Sequence, residues 1–584
     1  MKKVLFISLA VVLALSVGLM GCGGENGGEA IPYKNDGMFI QETIGDIASL
    51  DPAWGYDTAS GEQVSYIYEP LLFFDGGDTG TFVPVLATSW SFNDTTVQYR
   101  FTIREGVTFH NGNPLTPEDV EYSFERAMII DRPGGPVWMF YGPLVGTGGW
   151  SGNFTEVDEA IEVDGNDVVF TLGGGAHWEL PFLQILCGPW SSIVDKEYCI
   201  AEGGWDGTEG DVVNFNSPAA VGDTLLYNQS NGTGPWKFNL WEPGVQVKVE
   251  DFDGYWQGSV PFDWVITKVV DEWTNRKLSL QNGDADLVYV PRMYIGELEG
   301  IDDLTVYKDL PALSVDAFFF NQAIAGNSSY IGSGALDGNG IPPNFFTDLD
   351  VRKAFSYAFD FDTYLNDAIV GEGAQVGSPV IEGLSYYNPS ASKYSLDLAL
   401  AETHLNAAWG GAVATNGFKF TLLYNAGNVP RKTACEILAE NLVGIDEKYQ
   451  VAIQPISWPT FLGKIWGTMD MPMFQIGWQV DYPHADNFVV PFMHSTMGAF
   501  SAFIGYGSPA LDAEIVAAFE ETNPVTQQAL YYELQQTWHD DPGGIMLFQP
   551  LGRRYFTKYI SGFYFNPVIP GAPGPLYYMS KSES

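Results

Sequence analysis

The residues most able to do chemistry in this chain are its acids. Seventy-two Asp and Glu stand against 27 Lys and Arg, a formal net charge of −45. Two carboxyl groups held across a cleft can hydrolyse glycosides, but so many acids supply pairs by chance, so their number assigns no reaction. No Gly-x-Ser-x-Gly nucleophile string occurs. The six histidines (His110, His177, His404, His484, His494 and His539) never reach an HExxH or zinc-type spacing, so no metal and no cofactor is expected. Asp337-Gly338-Asn339-Gly340 has the look of a calcium loop, yet the later ligands and closing glutamate of an EF-hand are missing. Among the cations, Arg292, Arg352 and Arg431 are available to a ligand carboxylate, and spacing puts none of them in a cleft.

The four cysteines divide into two roles. Cys22 follows Lys2-Lys3, the apolar run from Val4 to Met20, and the string Leu19-Met20-Gly21. That order resembles a bacterial lipobox, in which the cysteine sulfur receives a diacylglyceryl group after cleavage. Residues 1–21 are then a lipoprotein signal peptide and 22–37, rich in glycine, a flexible tether. The competing reading is a plain transmembrane helix, but no basic stop-transfer cluster follows Cys22. In an exported chain Cys187, Cys199 and Cys435 allow one disulfide, with Cys187–Cys199 the nearest pair; the alternative is three buried thiols acting as small apolar residues.

Length and balance bound the rest. At 584 residues the chain exceeds one ordinary core. Hydrophobic residues make up 46% and charged residues 17%, which excludes an acidic disordered chain. The negative field repels phosphate backbones, so nucleic acid is excluded as a partner. Such a surface also serves plain solubility.

Short β-branched and aromatic runs alternate with helical patterns from Met38 onward, giving a mixed α/β protein. Val97 to Ile103 alternates like a half-buried strand. The turn His110-Asn111-Gly112-Asn113-Pro114 precedes a helix whose start is marked by Thr116 as cap, accepting from the amide three residues on, Pro117 at the first position, and Glu118 with Asp119 facing the dipole. Its buried stripe is Val120, Phe124, Ala127 and Met128. A second helix is expected over 350–359, with Val351, Ala354, Phe355 and Ala358 inward. The Gly/Ser/Asn-rich stretch 323–343 reads as a surface excursion.

The segment from Leu86 to Met128, with Ser49-Leu50-Asp51-Pro52, Ile67-Tyr68-Glu69-Pro70-Leu71, Gly232-Thr233-Gly234-Pro235-Trp236, Tyr255-Trp256, the run from Leu280 to Asp286, the run from Asp350 to Asp360 and the run from Trp478 to Asp486, resembles the family 5 extracellular solute-binding proteins of peptide- and nickel-type ABC importers. The blocks follow the family's order over essentially the whole mature chain. The resemblance implies an α/β, two-lobed, periplasmic-binding-protein-like fold with an extra subdomain in the first lobe. The first lobe would take 38–305 plus 543–584, with the subdomain near 63–217, and the second lobe 306–542. Most of these blocks have scaffold readings of their own, and Arg352 is expected in a structural ion pair.

Within Trp478-Gln479-Val480-Asp481-Tyr482-Pro483-His484-Ala485-Asp486-Asn487-Phe488, Asp481 matches the acid that holds the free α-ammonium of a peptide in relatives. The alternative is a loop aspartate capping a turn. Phe474-Gln475-Ile476-Gly477 reads as a strand edge leading into it that would pair with a peptide main chain, and Gly477, Trp478 and Gln479 are expected beside Asp481 at the ligand. The chain departs from the family pattern at His484-Ala485, where relatives carry Asp-Pro. One negative charge is lost there, and His484 would add a pH-dependent positive one.

The resemblance implies a non-enzymatic, monomeric receptor that delivers peptide-like solutes to a membrane permease and its ATPase. It would be anchored by lipid at Cys22 on the periplasmic or extracellular face of the cell envelope. An aromatic content of 15% keeps oligosaccharide, haem or nickel-chelate ligands open on the same fold. An extracellular hydrolase and a surface lipoprotein without transport are the readings from other classes.

Overall fold

The computed structural model describes residues 30–568 and 576–583. The expected signal peptide, Cys22 and the first part of the tether lie outside the described residues. The last part of the tether does not hang free: Ile31 is buried, its amide donates to Asp303 and its carbonyl accepts from Tyr559. An apolar residue with a place to bury ends the tether before Gly37.

One long strand belongs to two sheets. In Gly544–Thr557, residues 544–550 pair with Ser314–Phe320 and Gly373–Gln375, whereas 551–557 pair with Leu304–Pro311 and Leu287–Val288. From that second half the first sheet continues through Leu287–Val288, Met38–Thr43, Trp264–Val269 and Gln246–Asp251 to Trp236–Glu242. The second sheet runs Tyr449–Ile456, Phe418–Asn425, Met473–Gln479, Ser314–Phe320 and the first half of the shared strand. Parallel pairs in both sheets, Met38–Thr43 with Trp264–Val269 and Phe418–Asn425 with Tyr449–Ile456, are the products of long crossover connections. The chain therefore changes sheet at 312–313 and again at 550–551. Alternation along a strand shows which residues are buried and is silent on which sheet buries them.

The extra subdomain has its own antiparallel sheet, ordered Ala87–Asn93, Gln98–Ile103, Asp167–Thr171, Ile161–Asp164. Tyr99, Phe101 and Ile103 point inward from the expected strand. Helix Pro117–Ile130 covers it, with Val120, Phe124, Ala127 and Met128 all buried. Thr116 is its cap as expected, and the Asp119 carboxylate reaches back to accept from both the amide and the hydroxyl of Thr116, the reciprocal contact of a capping box. Helix Leu349–Ala358 starts at Asp348, whose side chain accepts from the amides of Asp350 and Val351.

Two buried polar centres tie distant segments together. Asp51 and Arg126 form a two-pronged ion pair at 2.9 and 2.6 Å, with side-chain exposures of 0% and 4%, joining the N-terminal loop to the subdomain helix. Glu69 accepts from Thr233 Oγ1 (2.9 Å), Tyr255 Oη (2.8 Å) and Trp256 Nε1 (3.0 Å), so two other sequence blocks converge on its carboxylate. Burial still pushes Glu69 up to about 7. Arg352 pairs with Asp541, the structural role expected of it.

The Cys187–Cys199 disulfide is not formed. Both thiols and that of Cys435 are free and buried, and each belongs to a different hydrophobic cluster. The three act as small apolar residues, the alternative reading. The stretch 323–343 is also more ordered than expected. Ile324, Ile331 and Ile341 bury into the second core, and Asp337 accepts from Ser333 and from the Asn339 amide to close a turn. No helix among the described residues is long and apolar enough to cross a membrane.

Candidate functional site

Strand Met473–Gln479 delivers the candidate residues to the face where the two sheets meet. It pairs antiparallel with Ser314–Phe320 along its length, while on its other side Phe418–Asn425 bridges it only at Phe474. The following turn carries Asp481, and helix Asp486–Met493 returns Asn487 beneath it. The Asn487 side chain accepts from the Asp481 amide (2.8 Å) and donates to Asp481 Oδ2 (2.9 Å), while its backbone carbonyl accepts from Trp478 Nε1 (2.9 Å). One asparagine thus fixes both the carboxylate and the indole.

The second partner of Asp481 comes from the other lobe. Tyr56 Oη donates to Asp481 Oδ2 at 2.7 Å across 425 residues of sequence, and Trp138 Nε1 donates to the same phenol oxygen at 3.3 Å. Trp458 Nε1 donates to Asp57 at 3.1 Å, a further link between the lobes. Asp481 is 4% exposed, and burial raises its pKa to about 7 although Asn487 and Tyr56 hydrogen bonds pull it down. No cation enters that balance. Among the described residues none donates to Oδ1.

Asp481 lines a cavity of about 210 Å³ whose walls are aromatic: Tyr56, Trp190, Trp458, Trp466, Trp478 and Phe500. This chamber shares Thr58, Ser314, Arg431, Trp458 and Gln479 with a larger one of about 390 Å³. Together they fall in the range of small-molecule sites. The larger chamber is more polar, with Arg292, Arg431, Arg553 and Arg554 in its wall.

The structure brings Gly477, Trp478, Gln479 and Asp481 together on the cavity wall, with different duties. Trp478 is largely core, edge-on to Tyr56 at 5.8 Å and to Phe500 at 5.4 Å. Gln479 donates its amide to the Pro567 carbonyl. Gly477 leaves room for an ion pair: a β-carbon there would sit 3.3 Å from Arg431 Nη2 and 3.4 Å from Asp316 Oδ2. Arg431 and Arg292 line the cavity, and Arg352 does not.

His484 differs from its expected role. Its ring sits edge-on to Tyr386, Phe519 and Tyr531, its Nδ1 accepts from the Asp486 amide, and burial lowers its pKa to about 4. It is neutral at neutral pH and adds no positive charge, because aromatic neighbours solvate an imidazolium poorly. Sequence reasoning missed Tyr56, Trp190, Asn487 and Arg554. Tyr56 lies just past the Asp51-Pro52 block, and Asn487 lies inside the Asp481 block, where no role was read for it.

Two lobes joined by a shared strand and closing on a lined cavity are the architecture of a solute-binding protein. A family model for bacterial extracellular solute-binding proteins, family 5, matches residues 81–500, and the chain belongs to that family. It is 24% identical over 540 residues to the probable D,D-dipeptide-binding periplasmic protein DdpA of Escherichia coli K12, covering 91% of this chain and 92% of that one. It is also 24% identical over 521 residues to heme-binding protein A of Haemophilus influenzae, covering 87% and 86%. In structure it resembles the ABC transporter-associated periplasmic binding protein DppA of Helicobacter pylori in complex with the peptide STSA. The TM-score is 0.75, with 22% identity and coverage of 94% of this chain and 98% of that one.

Proposed function

We propose that this protein captures peptide-like solutes between its lobes and delivers them to the permease and ATPase of an ABC importer, without catalysing a reaction. The observation that carries this reading is the Asp481 carboxylate, buried in the cavity with two neutral hydrogen-bond donors and no cation. Burying a carboxylate without a countercharge is costly, and a ligand ammonium supplies both the charge and N–H donors for the free oxygen. The unpaired side of Met473–Gln479 supports main-chain recognition of an extended peptide beside it. Peptide-binding relatives support the solute class. In this reading the lobes exchange at 312–313 and 550–551, the chain acts as a monomer, and lipid on Cys22 anchors it at the outer face of a membrane.

The aromatic chamber favours one second reading on the same fold, a flat ligand such as haem. Mass spectrometry of small molecules released on denaturing the gently purified soluble protein separates the two. Peptides with free amino termini support the first reading. Haem, chelates or sugars overturn the ammonium assignment.

A further inference from the structure

We propose that the extra subdomain is the latch of the closed protein: it grips the second lobe along an aromatic seam outside the ligand cavity, and that grip scales the affinity for every ligand by a common factor. The inference rests on the receptor reading, two lobes closing over a cavity, and is independent of which solute fills it.

The seam has two ends. At one end His177 and Trp178 of the subdomain meet Phe519 of the second lobe, with ring centroids 4.9 and 4.7 Å apart and the imidazole edge-on. Trp178 also lies edge-on to Tyr482 at 6.4 Å, and Trp138 lies 6.3 Å from the same ring. At the other end two glycines of the subdomain admit side chains of the second lobe onto bare backbone. A β-carbon on Gly134 would sit 2.4 Å from Trp466 Cδ1, and one on Gly148 would sit 2.5 Å from Met497 Cγ. Arg132 completes this seat: its guanidinium lies 5.0 Å from the Trp54 ring and 5.5 Å from that of Trp466, and its Nε donates to the Trp54 carbonyl at 2.9 Å. A cation beside aromatic faces gains most where water is excluded, and Arg132 is buried. Trp466 is held in place by donating Nε1 to the Ala499 carbonyl at 2.7 Å.

These contacts differ from the other links between the lobes. Tyr56–Asp481 and Trp458–Asp57 lie in the wall of the smaller chamber, so a ligand group that takes Asp481 competes with Tyr56. His177, Trp178, Phe519, Gly148 and Met497 line neither chamber. Their contacts form on closing whatever the cavity holds. A ligand that touches both lobes binds the closed form, and its apparent affinity is the intrinsic affinity reduced by the closed fraction. A latch outside the cavity changes that fraction and nothing else. The two aromatic pairs at Phe519 are worth about 5- to 100-fold in the closing equilibrium.

The test weakens each end of the seam in the soluble protein. Phe519→Ala removes the ring gripped at one end, and Gly148→Val wedges the other. Ligand-free size is measured by X-ray scattering, and affinity by calorimetry with two probes, a random dipeptide pool and a random pentapeptide pool. Each variant should enlarge the ligand-free protein and lower affinity for both pools by one factor, about 5-fold or more for Phe519→Ala. Unchanged size and unchanged affinities overturn the latch. A loss confined to one pool also overturns it, because such an effect acts through the cavity. If neither pool binds the wild-type protein, the peptide reading fails and scattering alone decides the latch. The two substitutions lie on opposite lobes and at opposite ends of the seam, so poor folding of one leaves the other to decide.

Discussion

Asp481→Asn tests the central carboxylate with the least disturbance. Asparagine keeps the shape, and its Oδ1 can still accept from Tyr56 Oη and Asn487 Nδ2, so the links across the cleft survive. What goes is the charge. Removing one partner of a desolvated ion pair costs about 2–5 kcal/mol, so affinity for a free-amine peptide should fall about 30- to several-thousand-fold. At pH 8, above the raised pKa of about 7, the wild-type carboxylate is mostly ionised, which makes the contrast largest. A peptide at a hundred times its Kd stabilises the wild-type protein by about 2.7 kcal/mol; a hundredfold loss of affinity leaves about 0.4 kcal/mol. Calorimetry gives the affinity, and melting with and without peptide gives the shift. Without ligand the variant should melt no lower than the wild type at pH 8, because the cost of burying a charge is gone. Unchanged affinity would refute the ammonium role, and early melting with an intact ligand response would make Asp481 a structural residue.

Three further outcomes are expected. The carboxyls of Asp481, Asp486 and Glu69 are all raised to about 7 by burial, so the folded protein holds protons that the unfolded chain releases between about pH 4 and 7. Ligand-free stability should therefore fall as pH rises through that window, whereas affinity for free-amine peptides should rise; urea titrations and calorimetry at pH 5 and 8 check both signs, and Asp481→Asn should flatten each slope. Asp51→Ala strands the Arg126 guanidinium in the interior and should cost about 3–5 kcal/mol in denaturant unfolding, with Asp51→Leu/Arg126→Met recovering most of it. Tyr56→Phe removes one hydrogen bond between the lobes, worth about 1 kcal/mol, and should enlarge the ligand-free protein in X-ray scattering without altering which pool it prefers.

The chain's membership of its family was written in local signals. The strand before Glu105-Gly106 and the helix after Thr116 follow from alternation, a turn and a capped start, all of which act over a few residues. The same locality explains Asp481: its block places an acid just past the end of a strand, where any fold of this type would present it. The reason those blocks are there was less legible. The blocks holding Glu69, Thr233 and Tyr255-Trp256 look like three unrelated motifs in sequence and form one buried hub in space. The expected charge on His484 failed because three rings contributed from distant segments desolvate it.

By itself the sequence determined the export signal as an expectation, the α/β character, the order of the family's blocks and the acid at 481. Only the tertiary structure decided that Tyr56 reaches Asp481 from the opposite lobe, that Arg431 is spent on Asp316, and that Arg292 and Arg554 line the larger chamber without acids of their own. The physical reason is distance along the chain. Capping, alternation and turn chemistry depend on near neighbours, whereas burial, desolvation and charge pairing depend on which remote segments the shared strand and the two sheets bring together.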